Sequence, residues 1–156
     1  SDSQHCQRPD RYQRLYCHSK NRWNACGDWT SGCTVSRTCW IFTQWKKDIA
    51  ALATCSNVVA KLGGLAMPDN GFGWHTAEKP PTSDEFIAVQ KKYFDHTIEC
   101  FGPERCMFES NFPVDRFSLS YTVVWNAFKK MTTSFTEAEK DAMFRGTATR
   151  VYGLAS

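Results

Sequence analysis

The feature that most constrains this chain is a change of style near Ile41: an unpatterned stretch gives way to strands alternating with amphipathic helices. From Phe42 the apolar positions Phe42, Trp45, Ile49 and Leu52 recur at helical spacing, with Lys46, Lys47 and Asp48 on the other side. Cys55-Ser56-Asn57 ends that helix. Asn57 to Gly63 then reads as a short, buried, β-branched strand, stopped by Gly63-Gly64. A loop rich in Pro, Gly and Asn follows, from Met67 to Pro81. Thr82 with Glu85 three residues on forms a capping box, in which each side chain satisfies the other's free backbone N–H. Phe86, Val89, Tyr93, Ile98 and Phe101 carry that helix's apolar face, and Gly102-Pro103 stops it.

Arg105 to Glu109 is a second short strand. Helical spacing returns with Tyr121, Val124, Trp125, Phe128 and Met131. A second capping box, Thr136 with Glu139, opens the stretch carrying Met143 and Phe144; Gly146 interrupts it before a last turn or two through Val151 and Leu154. Strands alternating with long amphipathic helices predict α/β architecture with parallel strands. Two strands cannot make such a sheet alone, so they read as part of something larger.

The first forty residues show neither a 3.6 nor a 2 period. They hold five of the eight cysteines and little Leu, Ile or Val. A small Cys-rich module, an unstructured tail and a reading-frame error in the parent gene all give this look, and the frame error is the preferred reading. The predicted division is thus an irregular Cys/Trp-rich segment over 1–40 and a partial domain over 41–156. Cys26 and Cys33 with His18 could be assembled into a metal site on paper, but no C-x2-C pair supports one.

Several classes of function are disfavoured by composition. A net charge of +3, without a basic stripe interleaved with aromatics, argues against nucleic acid. No apolar run is long enough to span a bilayer. The N-terminal SDSQHCQRPD has no apolar core of a secretory signal, so the expected location is cytoplasmic.

Two stretches carry a family resemblance: Asn57-Val-Val-Ala-Lys-Leu-Gly-Gly-Leu-Ala-Met-Pro-Asp-Asn-Gly-Phe-Gly-Trp-His75 and Cys106-Met-Phe-Glu-Ser-Asn-Phe-Pro-Val-Asp115. They resemble the amidohydrolase-related family of metal-dependent, lactonase-like hydrolases, and the likeness runs from about Ile41 to Leu154. It implies a (β/α)8 barrel whose last two strand–helix units are these. It also implies a small-molecule lactone or ester substrate, and a site at the C-terminal ends of the strands. In the family, metal-binding histidines follow the first, fifth and sixth strands and a carboxylate follows the eighth. A divalent metal is therefore expected in full-length relatives and none for this chain, which has four histidines and no H-x-H pair.

The resemblance places Asn111 where many relatives carry an acid. An amide can orient a substrate or a water but cannot take water's proton near neutral pH. Glu109 is the candidate to supply that carboxylate, since residues two apart on a strand share a face; Asp115 is expected in the loop beyond. Asn111 and Glu109 are thus the catalytic candidates, and Lys61, Trp74 and His75 the substrate-binding ones. His96, mid-helix beside Asp95, is expected to face solvent. The chain alone is expected to be a truncated or inactive fragment, free to self-associate through exposed barrel faces. The alternative is a non-catalytic α/β binding or assembly module.

Overall fold

The computed structural model describes residues 13–15, 34–70 and 72–154, with side chains for 42–68, 70 and 72–154. Three strands form one sheet in the order β1-β2-β3: β1 (Gln13–Leu15), β2 (Val58–Leu62) and β3 (Cys106–Phe108). Both pairings are parallel, with Val59 opposite Arg14 and Lys61 opposite Met107. The mixed α/β architecture and the parallel geometry agree with the sequence. β1 and the start of α1 do not, since regular backbone occurs before residue 41. A three-residue strand, Gln-Arg-Leu, is too short to display a period of 2. The remaining expectations for 1–33, including the paper metal site of His18, Cys26 and Cys33, lie outside the described residues.

Helix α1 spans Thr34–Ala53, α2 Ser83–Phe101, α3 Tyr121–Met131, α4 Glu137–Asp141 and α5 Thr147–Tyr152. Both predicted capping boxes form: Thr82 and Glu85 close on one another, as do Thr136 and Glu139. Helix α1 packs on α2 through aromatic edges, Phe42 and Trp45 meeting Tyr93 at 5.0 and 5.1 Å. His96 lies in this same seam, not in solvent, and its Nε2 donates to the Lys46 carbonyl at 3.0 Å. Asp95, its neighbour, takes the outward position and pairs with Lys91.

Two further expectations give way. Val89 is exposed, and the buried slot beside it belongs to Gln90, whose Nε2 donates to the Leu65 carbonyl at 2.9 Å. The Nε2 bond offsets part of the cost of burying a polar residue there, while Gln90 Oε1 is buried with no partner among the described residues. Gly146 does not interrupt the last helix. It ends a π turn, Ala142–Gly146, that runs from α4 into α5 with Gly146 at helical φ −59°. The widened turn keeps Met143 fully buried and Phe144 against Phe108 at 4.7 Å.

The core lies between the helices and one face of the sheet. Val58, Ala60, Leu62, Cys106 and Phe108 point into it, meeting Phe86, Phe94 and Phe128. Strand alternation sends Val59, Lys61 and Met107 to the opposite face; Val59 and Met107 are buried yet stand outside that cluster. Arg105 knits the lower edge. Its guanidinium donates to the carbonyls of Ala53, the last residue of α1, and Cys55 just beyond, and its Nε to the carbonyl of Phe101 at the end of α2. A cation there satisfies carbonyls that a helix end leaves open.

Gly63 follows β2 where β3 leaves the sheet. A Cβ there would lie 2.3 Å from the Glu109 carbonyl oxygen and 2.5 Å from its Cγ, closer than atoms can approach. At Gly146 the nearest atom would be 3.5 Å away, an ordinary contact. We expect Gly63→Ala to cost about 1–3 kcal/mol by overpacking, and Gly146→Ala to be neutral or stabilising by up to about 1 kcal/mol. Urea denaturation of the two variants checks this; equal effects would contradict the close approach.

Candidate functional site

Parallel strands deliver their C-terminal ends to one edge, and four polar side chains gather there. Lys61, the fourth residue of β2, forms an ion pair with Glu109, the first residue after β3. The pair follows from register: Lys61 stands beside Met107, and Glu109 N–H donates to the Leu62 carbonyl at 3.1 Å. Both residues therefore project on the face away from the helices. The two side chains are only 12% and 16% exposed, so each charge requires the other. Glu109 Oε1 is buried and has no hydrogen-bond partner among the described residues.

Asn111 reaches the same cluster by a route that strand alternation does not describe. β3 ends at Phe108, and Asn111 sits at φ +54°, the left-handed region that asparagine tolerates better than most residues. That turn points its amide at Asp115: Asn111 Nδ2 donates to Asp115 Oδ1 at 2.7 Å. The Asp115 carboxylate also accepts the Ala66 backbone N–H, which ties the segment after β2 to the segment after β3.

Sequence reasoning placed Asp115 in the loop and gave it no role. Instead it lies in the short turn Val114–Phe117 and is 1% exposed. Burial pushes its pKa up to about 6; the Asn111 and Ala66 hydrogen bonds pull the other way, and the nearby Glu109 charge adds to the rise. The signal that could have found it is its position four residues after Asn111, across one turn. The outcome is a four-residue group, Lys61–Glu109 and Asp115–Asn111, with one cation, two carboxyls and one amide.

Trp74 and His75 stand apart from this group. They occupy the turn Trp74–Thr76 and line a groove of about 430 Å³ whose other wall includes Phe112, Arg116 and Tyr121. Lys61, Glu109 and Asn111 do not line it. Trp74 is held in place by stacking on Phe72 at 5.3 Å and by contact with Phe86 at 5.8 Å. His75 is exposed.

The group does not by itself fit a divalent metal. Among the described residues no three His, Cys, Asp or Glu side chains converge as ligands. Glu109 is engaged by Lys61, and Asp115 by Asn111 and Ala66. What remains is the chemistry of the four side chains themselves. They can bind and orient a polar carbonyl compound, and Asp115 changes its protonation near pH 6. Among the described residues no helix is long and apolar enough to cross a membrane.

The sequence model of a protein family described as Amidohydrolase matches residues 40–154. An uncharacterized protein, y4mH, from Sinorhizobium fredii is 38% identical over 111 residues, 71% of this chain and 33% of that protein. An L-fucono-1,5-lactonase from Burkholderia multivorans is 31% identical over 112 residues, 71% of this chain and 36% of the lactonase. The crystal structure of an amidohydrolase from Burkholderia multivorans with bound Zn superposes with a TM-score of 0.63 at 29% identity, covering 72% of this chain and 38% of that one. The same amidohydrolase with bound HEPES gives 0.62. The chain thus spans about a third of the length of the curated relatives it matches.

Asp115 makes stability depend on pH in a definite direction. Its folded pKa, about 6, lies above its ordinary value of 3.8, so the folded protein binds the extra proton between them. Its contribution to stability is most favourable below about pH 4, is lost as pH rises to about 6, and is flat above. The full span is on the order of 3 kcal/mol. We expect the stability difference between wild type and Asp115→Asn to change by this amount, in wild type's disfavour, from pH 4 to pH 7. Denaturation curves across that range check it; a pH-independent difference would contradict the buried carboxyl.

Proposed function

This chain belongs to the amidohydrolase family, and from that premise we propose that it forms part of a hydrolase acting on a lactone or cyclic ester. In this reading β2 and β3 are the seventh and eighth strands of a (β/α)8 barrel, residues 41–156 its C-terminal portion and 1–40 a separate segment. The observation that carries the reading is the gathering of Lys61, Glu109, Asn111 and Asp115 at the C-terminal ends of parallel strands, the edge where barrel enzymes keep their chemistry. The sequence likeness to a lactonase supports the substrate class.

Each side chain has a role its chemistry allows. The Lys61 ammonium is placed to draw charge from a carbonyl oxygen as water adds to the carbon. Glu109, with Oε1 unpartnered, is the group to accept the proton of that water. Asn111 orients the substrate or the water, and its own amide is oriented by Asp115. Trp74 and His75 supply substrate contact from the neighbouring loop, as a flat apolar wall and an exposed polar ring. The Lys61–Glu109 pair limits this machinery, since the carboxylate is already engaged by the ammonium and must share that contact with an incoming water. These residues are one portion of a site whose relatives are about three times as long.

Binding and turnover test different parts of the proposal. Titrating the chain with the lactam analogue of a sugar lactone should shift the side-chain amide resonance of Asn111, and that shift should vanish in Asn111→Ala. No shift at Asn111 would count against the substrate class. Hydrolysis of a panel of sugar and aromatic lactones should run no faster than in buffer, with or without added Zn²⁺ or Mn²⁺. Turnover that falls on Asn111→Ala would show that these residues suffice.

A further inference from the structure

The groove beside the four-residue group has a chemistry of its own. Among the described residues its lining carries a basic group, Arg116, and no Asp or Glu. The adjacent acid, Asp115, does not neutralise Arg116, because its carboxyl is buried and turned to Asn111 and Ala66. Arg116 makes no ion pair with any described residue and is exposed. His75 adds a second nitrogen donor to the same lining.

The walls are aromatic and held from behind. Trp74 is braced by Phe72 and Phe86, as described. Phe112 and Tyr121 meet edge to face, 5.3 Å apart at 90°, and Tyr121 leans on Trp125 at 5.9 Å. Phe117 stands at the rim 73% exposed, and Tyr121 is 53% exposed. Exposed aromatic surface of this kind is costly to leave in water and marks a place where something docks. A volume of about 430 Å³ suits a small molecule.

We infer that this groove binds a small aryl carboxylate, its ring lying against Trp74, Phe112 and Tyr121 and its anion meeting Arg116. A guanidinium is suited to this by its planar fork of donors, which matches a carboxylate two bonds at a time. Stacking supplies affinity, and the exposed cation, unpaired among the described residues, supplies selection against neutral rings. The identification of this ligand with the substrate or product of the neighbouring site rests on the hydrolase proposal. Opening a lactone liberates a carboxylate, and one with an aromatic body would be held here. The binding itself stands on the groove.

Calorimetric titration of the 156-residue chain with 2-naphthoate, and with the neutral 2-naphthamide, tests the inference. Naphthoate is expected to bind saturably at one site, with the amide about tenfold weaker or more, the worth of one exposed charge-assisted contact. Arg116→Gln should bring naphthoate down to the level of the amide and leave the amide unchanged, while Tyr121→Ala should weaken both. Because Arg116 is exposed and pairs with no described residue, its substitution should leave the urea midpoint unchanged. Should the variant fail to fold, the acid–amide comparison on wild type decides alone. Equal affinity for acid and amide, indifference to Arg116→Gln, or no saturable binding would each overturn the inference. Naphthoate binding without any response to lactone analogues would uphold the groove and sink the hydrolase reading. The reverse pattern would sink the groove alone.

Discussion

The ion pair between Lys61 and Glu109 is the interaction on which the edge of this sheet depends. Two charges with so little exposure are costly to separate, because each would be left unpaired in a poorly hydrated place. The pair spans neighbouring parallel strands, so it holds the ends of β2 and β3 in one register. Gly63 is the condition for it, since any larger residue would collide with Glu109. Asp115 responds to it, as the Glu109 charge is one cause of its raised pKa. Asn111, turned by a left-handed backbone, completes the group by giving Asp115 a donor.

Much of the scaffold was legible in the residues because local signals there agree with tertiary demands. Thr82 with Glu85 and Thr136 with Glu139 are complete capping motifs, and both form. The apolar run Val58–Leu62 is a strand, and one face of it is the core. Apart from the local π turn at Gly146, the failures in the scaffold share a cause: each was decided by a partner distant in sequence. Gln13–Leu15 is a strand because β2 offers it an edge, not because three residues declare one. His96 is drawn from solvent by Trp45 and the Lys46 carbonyl, fifty positions away. Gln90 displaces Val89 from the interior because the Leu65 carbonyl needs a donor.

The site was legible as residue types and not as geometry. Lys61 and Glu109 were singled out separately, and nothing local says that they pair, since pairing follows from the register of two strands. Glu109 and Asn111 were grouped by strand alternation, but the strand ends before either of them. What brings Asn111 in is its positive φ and its bond to Asp115, a residue to which spacing alone gave no role. Trp74 and His75 belong to a separate aromatic groove whose basic residue, Arg116, was not foreseen. The family model matches residues 40–154, and these contacts are what the described residues place at the strand ends.

A double-mutant cycle at Lys61 and Glu109 tests the central claim most directly. Lys61→Met and Glu109→Gln are each expected to lower unfolding free energy by about 3 kcal/mol, because each strands the partner's charge or polar group in a poorly hydrated place. The double variant should then lose much less than the sum, with a coupling energy of at least about 1 kcal/mol. Additive losses within about 0.5 kcal/mol would contradict the account, for they would mean that the two strand ends are held in register by something other than this pair.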